Sequence, residues 1–370
     1  MNIRNEKMSC RQTGRLFFYS FFSLTVLRLP QMLAQTSGMD GFFALVIGSV
    51  LGYLFLQTVL TLMERMKETY DDLLRRCLGR YATWLVLLLY LLTGISCASY
   101  GLWQLTHTAR IYLIRDTPVW LIMGTLTVLM IYGLGSGVEC RGRRYELLFW
   151  FVVLPLLVMT VLAAWNIEPD HWLPVAQISG SRLLQDSYQV FGCTMAAACL
   201  PIYADTIHAQ EQLRPAVTRS YVCSVILQLV IFLVLTGIYG VPTVAVMDDP
   251  VLEMTAMVKL PGGFLERQDA LLCGIWFVGM YAFVENALYV AVWSMKKMKG
   301  MQMHNAERII CGILMYAAAW VWYRYRDWND GLRRIYLAAG VPLLVLTVVS
   351  VALISAIRNK NKKKGSTNKK

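Results

Sequence analysis

The sequence predicts an all-α membrane protein, a bundle of about ten transmembrane helices that occupies nearly the whole chain. Three observations predict it. Apolar runs of roughly membrane-spanning length succeed one another from Leu16 to Ile357, with short charged loops between them. Hydrophobic residues make up 57% of the 370 residues and charged ones 16%, the latter well below the roughly 25% of ordinary globular chains. The runs also do not alternate polar with apolar residues. Barrel strands would alternate over about ten residues, whereas backbone groups in hydrocarbon satisfy one another within a long apolar run only as a helix.

In order, the first run, Leu16–Ala34, follows Arg4, Lys7, Arg11 and Arg15 and lacks a small-residue cleavage site, so it reads as a retained helix. Phe42–Met63, Trp84–Leu105, Val119–Gly137 and Tyr145–Trp165 complete a first set of five. Ser187–Tyr203, Tyr221–Val241, Ala270–Met295, Ile309–Trp322 and Ile335–Ile357 make a second. Residues 1–358 thus form one polytopic domain, and the Lys/Asn/Ser stretch 359–370 is expected to be a disordered basic tail touching anionic headgroups. Between the second and third runs, Tyr70–Arg80 carries Leu73, Leu74, Cys77 and Leu78 on one side and charges on the other. It suits a helix in the membrane plane, an extension of the third helix, or a surface covered by a partner.

Most of the 35 Lys and Arg residues lie at the N-terminus, in Glu64–Arg80, Arg141–Arg144, Arg214–Arg219 and Lys296–Arg308, and in the tail. The positive-inside rule then puts both termini in the cytoplasm. Tyr323–Arg334, with Arg324, Arg326, Arg333 and Arg334, runs against this rule, and Asp327 and Asp330 offset it only in part. The net charge of +12 follows from this one-sided distribution at helix ends, so no nucleic-acid partner is expected. Nine cysteines are scattered, most within apolar runs as small hydrophobes. Four histidines show no metal-ligand spacing, and no Gly-rich phosphate loop or catalytic constellation is present, so neither an enzyme nor a cofactor is expected.

Each set of five begins with a run that the sequence interrupts. Ser23, Thr25, Arg28 and Pro30 break the first; Gly192, Cys193 and Thr194 precede a small-residue stretch ending at Pro201 in the sixth. Inverted-repeat transporters bind substrate between two such discontinuous helices, although Pro and Gly are common in membrane helices generally.

Three stretches carry a resemblance. Pro250-Val251-Leu252-Glu253 leads to Leu260-Pro261-Gly262-Gly263-Phe264-Leu265-Glu266-Arg267-Gln268-Asp269 and then Trp276; Gly137-Val138-Glu139 precedes Arg143-x-x-Glu146; His171-Trp172-Leu173-Pro174-Val175 stands before the sixth run. In order and spacing they resemble the spore germination permeases, the B subunits of germinant receptors, within the amino acid, polyamine and organocation superfamily. The resemblance implies a LeuT-like fold of ten helices in a 5+5 inverted repeat. It also implies a receptor with an A subunit and a C subunit lipoprotein in the spore inner membrane, responding to a small-molecule nutrient such as an amino acid. The chain departs from the family in having Arg28 beside the first break, where glycine is usual, and a neutral Met195–Ala198 where an acidic residue is frequent.

Candidate ligand-binding residues are Thr25, Arg28, Tyr100, Gln104, Gly192, Thr194, Glu285 and Asn286. A charge such as Arg28 at the centre of a membrane helix costs about 2.5–3.5 kcal/mol on insertion scales, so it needs a ligand carboxylate, an internal carboxylate such as Glu285, or the outer interface. Glu285 is either a proton-binding group or a structural partner. Tyr100, Gln104, His107 and Arg110 recur at spacings of four and three and share one helix face, suited to an outer vestibule or to interhelical hydrogen bonds. Glu266, Arg267 and Asp269 are expected to cap the eighth helix, or else to gate the site or meet a partner. Arg141, Arg143, Arg144 and Glu146 are expected to anchor a short inner loop. The functions in competition are a nutrient-sensing receptor subunit, a stand-alone proton-coupled amino acid or amine transporter, and a structural subunit whose pocket has lapsed.

Overall fold

The computed structural model describes residues 7–66, 68–175, 177–208, 212–257, 268–300, 305–325 and 328–367. Helices account for nearly all of them, and an isolated parallel bridge joins Met8 to Ile207. Helix α1 (Cys10–Phe22) opens with a capping box, in which Ser9 Oγ accepts from the Gln12 amide (3.2 Å) and Gln12 Oε1 from the Ser9 amide (3.0 Å). The chain breaks at Ser23–Leu24 and resumes as α2 (Thr25–Ser37). Carbonyls released by the break find partners in other helices, as they must inside a membrane. Gln228 Nε2 donates to the Phe21 carbonyl (3.1 Å) and Thr25 Oγ1 (2.8 Å), and Trp276 Nε1 donates to the Ser23 carbonyl (3.0 Å).

α3 (Gly41–Arg65) returns the chain to the end where α1 starts, here the near end. There α4 (Tyr70–Leu78) lies as a separate short helix, divided from α5 (Arg80–Tyr112) by Gly79 at φ 83°, a conformation that glycine adopts without strain. Its apolar side is covered by protein: Tyr70, Leu73 and Leu74 are buried, and Lys297 Nζ binds Asp71 Oδ1 at 2.5 Å. α5 rises to the far end, α6 (Val119–Gly135) descends, and α7 (Val138–Ala163) rises again.

The second half begins with α8 (Gly180–Cys193), which gives way to a 3₁₀ segment, Thr194–Thr206, containing Pro201. So long a 3₁₀ stretch marks a helix under local constraint, and the Tyr90 hydroxyl holds it by donating to the Ala198 carbonyl (2.9 Å). α9 (Leu213–Tyr239) climbs to the short far-end helices α10 (Val241–Val246) and α11 (Pro250–Met257). α12 (Gln268–Lys299), α13 (Asn305–Arg324), and α14 (Trp328–Ile335) continuing through a π turn into α15 (Val341–Thr367) complete the chain. The fold is thus the interrupted-helix, all-α bundle expected. α15 carries the backbone to Thr367, through most of the tail expected to be disordered; residues 368–370 lie outside the described residues.

Among the described residues, six helical stretches are long and apolar enough to cross a membrane, the first being the composite 10–65. α6 is apolar but shorter. Large apolar side chains such as Leu85, Leu92, Val128, Leu147 and Leu154 stand exposed, as lipid-facing positions require. α5 and α12 pack along much of their lengths. A Cβ on Gly94 would stand 2.8 Å from the Ala287 carbonyl and one on Gly101 2.6 Å from Val284 Cγ2, with fully buried Ala98 between. These small residues let the two helices approach.

Candidate functional site

The eight predicted residues do not form one pocket. Arg28 and Gln104 belong to a polar cluster toward the far end, Glu285 to an ionic cluster toward the near end, and Thr25, Gly192 and Thr194 to the two helix breaks.

At the far end, Arg28 lies one turn beyond the first break. Its Nε and Nη2 both donate to Gln104 Oε1 (3.1 and 3.0 Å), Nη1 donates to Gln31 Oε1 (3.3 Å), and the guanidinium lies 5.8 Å from the Trp103 ring centre. Gln104 Nε2 donates onward to Thr108 Oγ1 (3.4 Å) and Asp249 Oδ1 (3.4 Å), and Thr108 Oγ1 donates to Asp249 Oδ2 (3.3 Å). Asp249 is fully buried just ahead of α11. Burial raises its carboxyl above the usual range, while Arg28 and the Thr108 hydroxyl act in the opposite direction. Tyr100 packs between Trp103 and Trp322, with ring centres 5.4 and 5.2 Å away. Beyond Trp103 an open cleft of about 700 Å³ is lined by Trp103, His107, Arg110, Ile111, Arg115, Tyr323 and Arg324. Its charged lining residues are cations, so its field favours an anionic group. Along the α5 stripe, Gln104 bonds between helices, and His107 and Arg110 line the cleft.

Arg28 is not paired with Glu285. The two sit at different heights, because Arg28 follows the first break toward the far end while Glu285 lies past the middle of α12. Glu285, with 0% exposure, instead faces Arg141 Nε and Arg144 Nη1, both at 3.6 Å. Arg141 is itself 1% exposed, and its guanidinium stacks 4.7 Å from the Tyr289 ring centre. The loop-anchoring role expected of Arg141 and Arg144 is therefore corrected. Placed at the start of α7 beneath α12, they point inward; their spacing of three puts both on one helix face, the one signal the sequence offered. Arg143 does remain at the surface with Glu139, and Glu146 binds Arg11 and Arg15 of the first helix.

Asn286 turns away from Glu285. It accepts from the Tyr203 hydroxyl and donates through Nδ2 to Ser20 Oγ (2.7 Å), clamping the 3₁₀ segment to α1. Thr25 donates to the Phe21 and Phe22 carbonyls (2.8 and 3.0 Å), and Thr194 to that of Phe191 (2.7 Å). The Gly192 carbonyl receives the Tyr336 hydroxyl (3.4 Å). These groups hold the breaks in shape. Asp249 was missed from sequence, its position before the Pro250 motif being the only hint. Glu266 and Arg267 lie outside the described residues, as does the side chain of Asp269. Of the motifs, His171 and Trp172 dock on α9 by donating to the Gly237 (3.0 Å) and Leu233 (3.1 Å) carbonyls. No cluster of three metal-ligating side chains occurs among the described residues.

Residues 7–326 match the family model described as "Spore germination protein". The chain belongs to the spore germination protein family. Curated relatives are distant but extensive. Spore germination protein YndE of Bacillus subtilis (strain 168) is 20% identical over 77% of this chain and 79% of its own length. GerLB of Bacillus cereus is 23% identical over 75% of each, and protein B2 of B. subtilis is 19% identical over 94% of this chain and 95% of its own. Among solved structures, a substrate-bound outward-open Na⁺-coupled sialic acid symporter superposes with a TM-score of 0.67 at 10% identity, covering 92% of this chain and 78% of its own. A mutant manganese transporter from Eremococcus coleocola gives 0.62 at 14% identity, covering 94% and 85%. At such identities the likeness shows the fold alone, that of the LeuT-like transporters. The chain is therefore a multi-pass, permease-like member of the spore germination protein family.

Proposed function

We propose that this spore germination protein is the nutrient-sensing, permease-like subunit of a germinant receptor, binding a small molecule with a carboxylate, such as an amino acid. The observation that carries this reading is Arg28. Its guanidinium stands one turn past a helix break, held by Gln104 and lying against Trp103, which itself lines a cationic cleft. Inverted-repeat bundles bind their substrates beside such breaks, and a guanidinium fork matches a carboxylate with two parallel hydrogen bonds. A ligand carboxylate would take the place of Gln104 Oε1, freeing Gln104 to change its bonds to Thr108 and Asp249 and so to move α11. The partners are an A subunit and a C subunit lipoprotein, and the membrane is the spore inner membrane with both termini on the core side.

The test is the thermal stability of the protein, purified with its partner subunits, across a panel of amino acids, sugars and nucleosides, since a ligand of the folded state raises stability by mass action. A hit that Arg28→Ala removes supports the pocket. No hit with the partners present leaves a structural subunit as the better account, and uptake by the isolated chain in vesicles would establish a stand-alone transporter. Cysteines placed at Asp248 and Lys370 should label from opposite sides, Lys370 from the core side.

A further inference from the structure

The ionic cluster at the near end is unused by the reading above. Arg141 and Arg144 share one carboxylate, Glu285, which leaves one positive charge in excess at a place where Arg141 and Glu285 are 1% and 0% exposed. The nitrogens of Arg141, Nε, Nη1 and Nη2, have no hydrogen-bond acceptor among the described residues, and neither oxygen of Glu285 has a donor. At 3.6 Å the ions attract but do not hydrogen-bond. Nearby, the hydroxyls of Tyr19 and Tyr145 are likewise buried without partners. The Tyr145 ring lies 5.8 Å from that of Tyr19 and 5.5 Å from the Arg144 guanidinium. A guanidinium taken out of water needs acceptors for its donors and a counter-charge for its cation; the Tyr203 hydroxyl and Glu285 stand beside Arg141, but none of its nitrogens meets an acceptor in hydrogen-bond geometry, and one carboxylate serves two guanidiniums.

We propose that Arg141 and Arg144, with the surrounding tyrosine hydroxyls, bind a small monovalent anion of the chloride class. One unit of negative charge neutralises the excess, and a halide accepts several N–H and O–H donors without demanding planar geometry. A close wall argues for a small ion: a Cβ on Gly133 would stand 2.6 Å from Glu285 Oε1 and 3.3 Å from Arg144 Nη1. Arg144, with 28% of its side chain exposed, gives the ion its route from the near end. Bound there, the anion ties α7 to α12.

The experiment measures the melting temperature of the full-length purified protein as sodium gluconate is exchanged for sodium chloride at constant ionic strength, repeated with bromide. Wild type should gain stability saturably with chloride and with bromide. Arg141→Gln should lose that gain. Glu285→Gln should melt lower in gluconate and be rescued by chloride, with a half-saturating concentration lower by about ten-fold or more because a like charge beside the anion has gone. If Arg141→Gln does not fold, Glu285→Gln decides alone. Equal melting in both salts for wild type and Glu285→Gln, or a linear chloride effect of the same slope in both, overturns the proposal.

Discussion

Replacing Arg28 by alanine separates a ligand-binding role from a merely structural one. In the resting protein the substitution removes two donors from the buried Gln104 Oε1, held at 3.1 and 3.0 Å. An acceptor left buried without partners costs about 1–3 kcal/mol. Gln104 keeps its Nε2 contacts to Thr108 and Asp249, so the damage stays local and the protein should still insert and assemble. The effect on nutrient response is separate. A charge-assisted hydrogen bond to a ligand carboxylate contributes about 1.5–3 kcal/mol, which converts to about 10- to 150-fold in the half-maximal nutrient concentration. Arg28→Lys keeps the charge but not the fork, so it should recover part of that loss. The assay is germination of spores carrying each variant over a nutrient series, with membrane abundance measured in the same spores. A half-maximal concentration within about two-fold of wild type for Arg28→Ala, at normal abundance, would refute the assignment.

Three further outcomes are expected. Gln228→Leu removes the donor shared by the Phe21 carbonyl and the Thr25 hydroxyl; since Thr25 Oγ1 still donates to that carbonyl, it should lower stability by about 0.5–1.5 kcal/mol, read as an earlier thermal unfolding in detergent. Gly101→Leu forces a side chain into the α5–α12 contact, where even a Cβ would come within 2.6 Å of Val284; overpacking of this kind costs about 1–3 kcal/mol or more, and Gly124→Leu, at an open position, should be mild in the same melt. The two aspartates should give opposite pH responses. Burial raises the folded-state carboxyl of Asp249, so its contribution to stability is greatest below the unfolded value of about 3.9 and declines as pH rises toward its folded value. For Asp71 burial also acts upward, but Lys297 and Thr69 outweigh it and hold the carboxyl low, so its contribution is present above about 3.9 and lost as pH falls through its folded value. Asp249→Asn and Asp71→Asn should each flatten melting against pH in the corresponding window; no change in either profile would count against these environments.

The bundle, its interrupted first and sixth helices and its family were legible in the order of residues. A run of apolar side chains long enough to span hydrocarbon leaves the backbone no alternative to a helix, and Pro30, Pro201 and the small residues before it mark where that helix must give way. Local chemistry of this kind needs no knowledge of neighbours. The individual candidates were less legible. Arg28 and Glu285 are both intramembrane charges and so suggested a pair, but the break after Phe22 sends Arg28 to one end of the bundle while the long α12 carries Glu285 toward the other. Arg141 and Arg144 looked like surface anchors because Arg143 and Glu139 beside them pair at the surface. Only the packing of α7 under α12 turned two of the three arginines inward. Asp249 had almost no signal, since its place is set by Gln104 and Thr108 of α5, which are distant in sequence. What the sequence determined by itself is therefore the set of forces acting along each segment: burial in lipid, helical hydrogen bonding, and the places where both fail. What the tertiary structure decided is which charges meet, because ion pairs form across helices whose relative heights and rotations follow from close contacts such as Gly94 and Gly101 against α12, and no spacing within one helix encodes that distance.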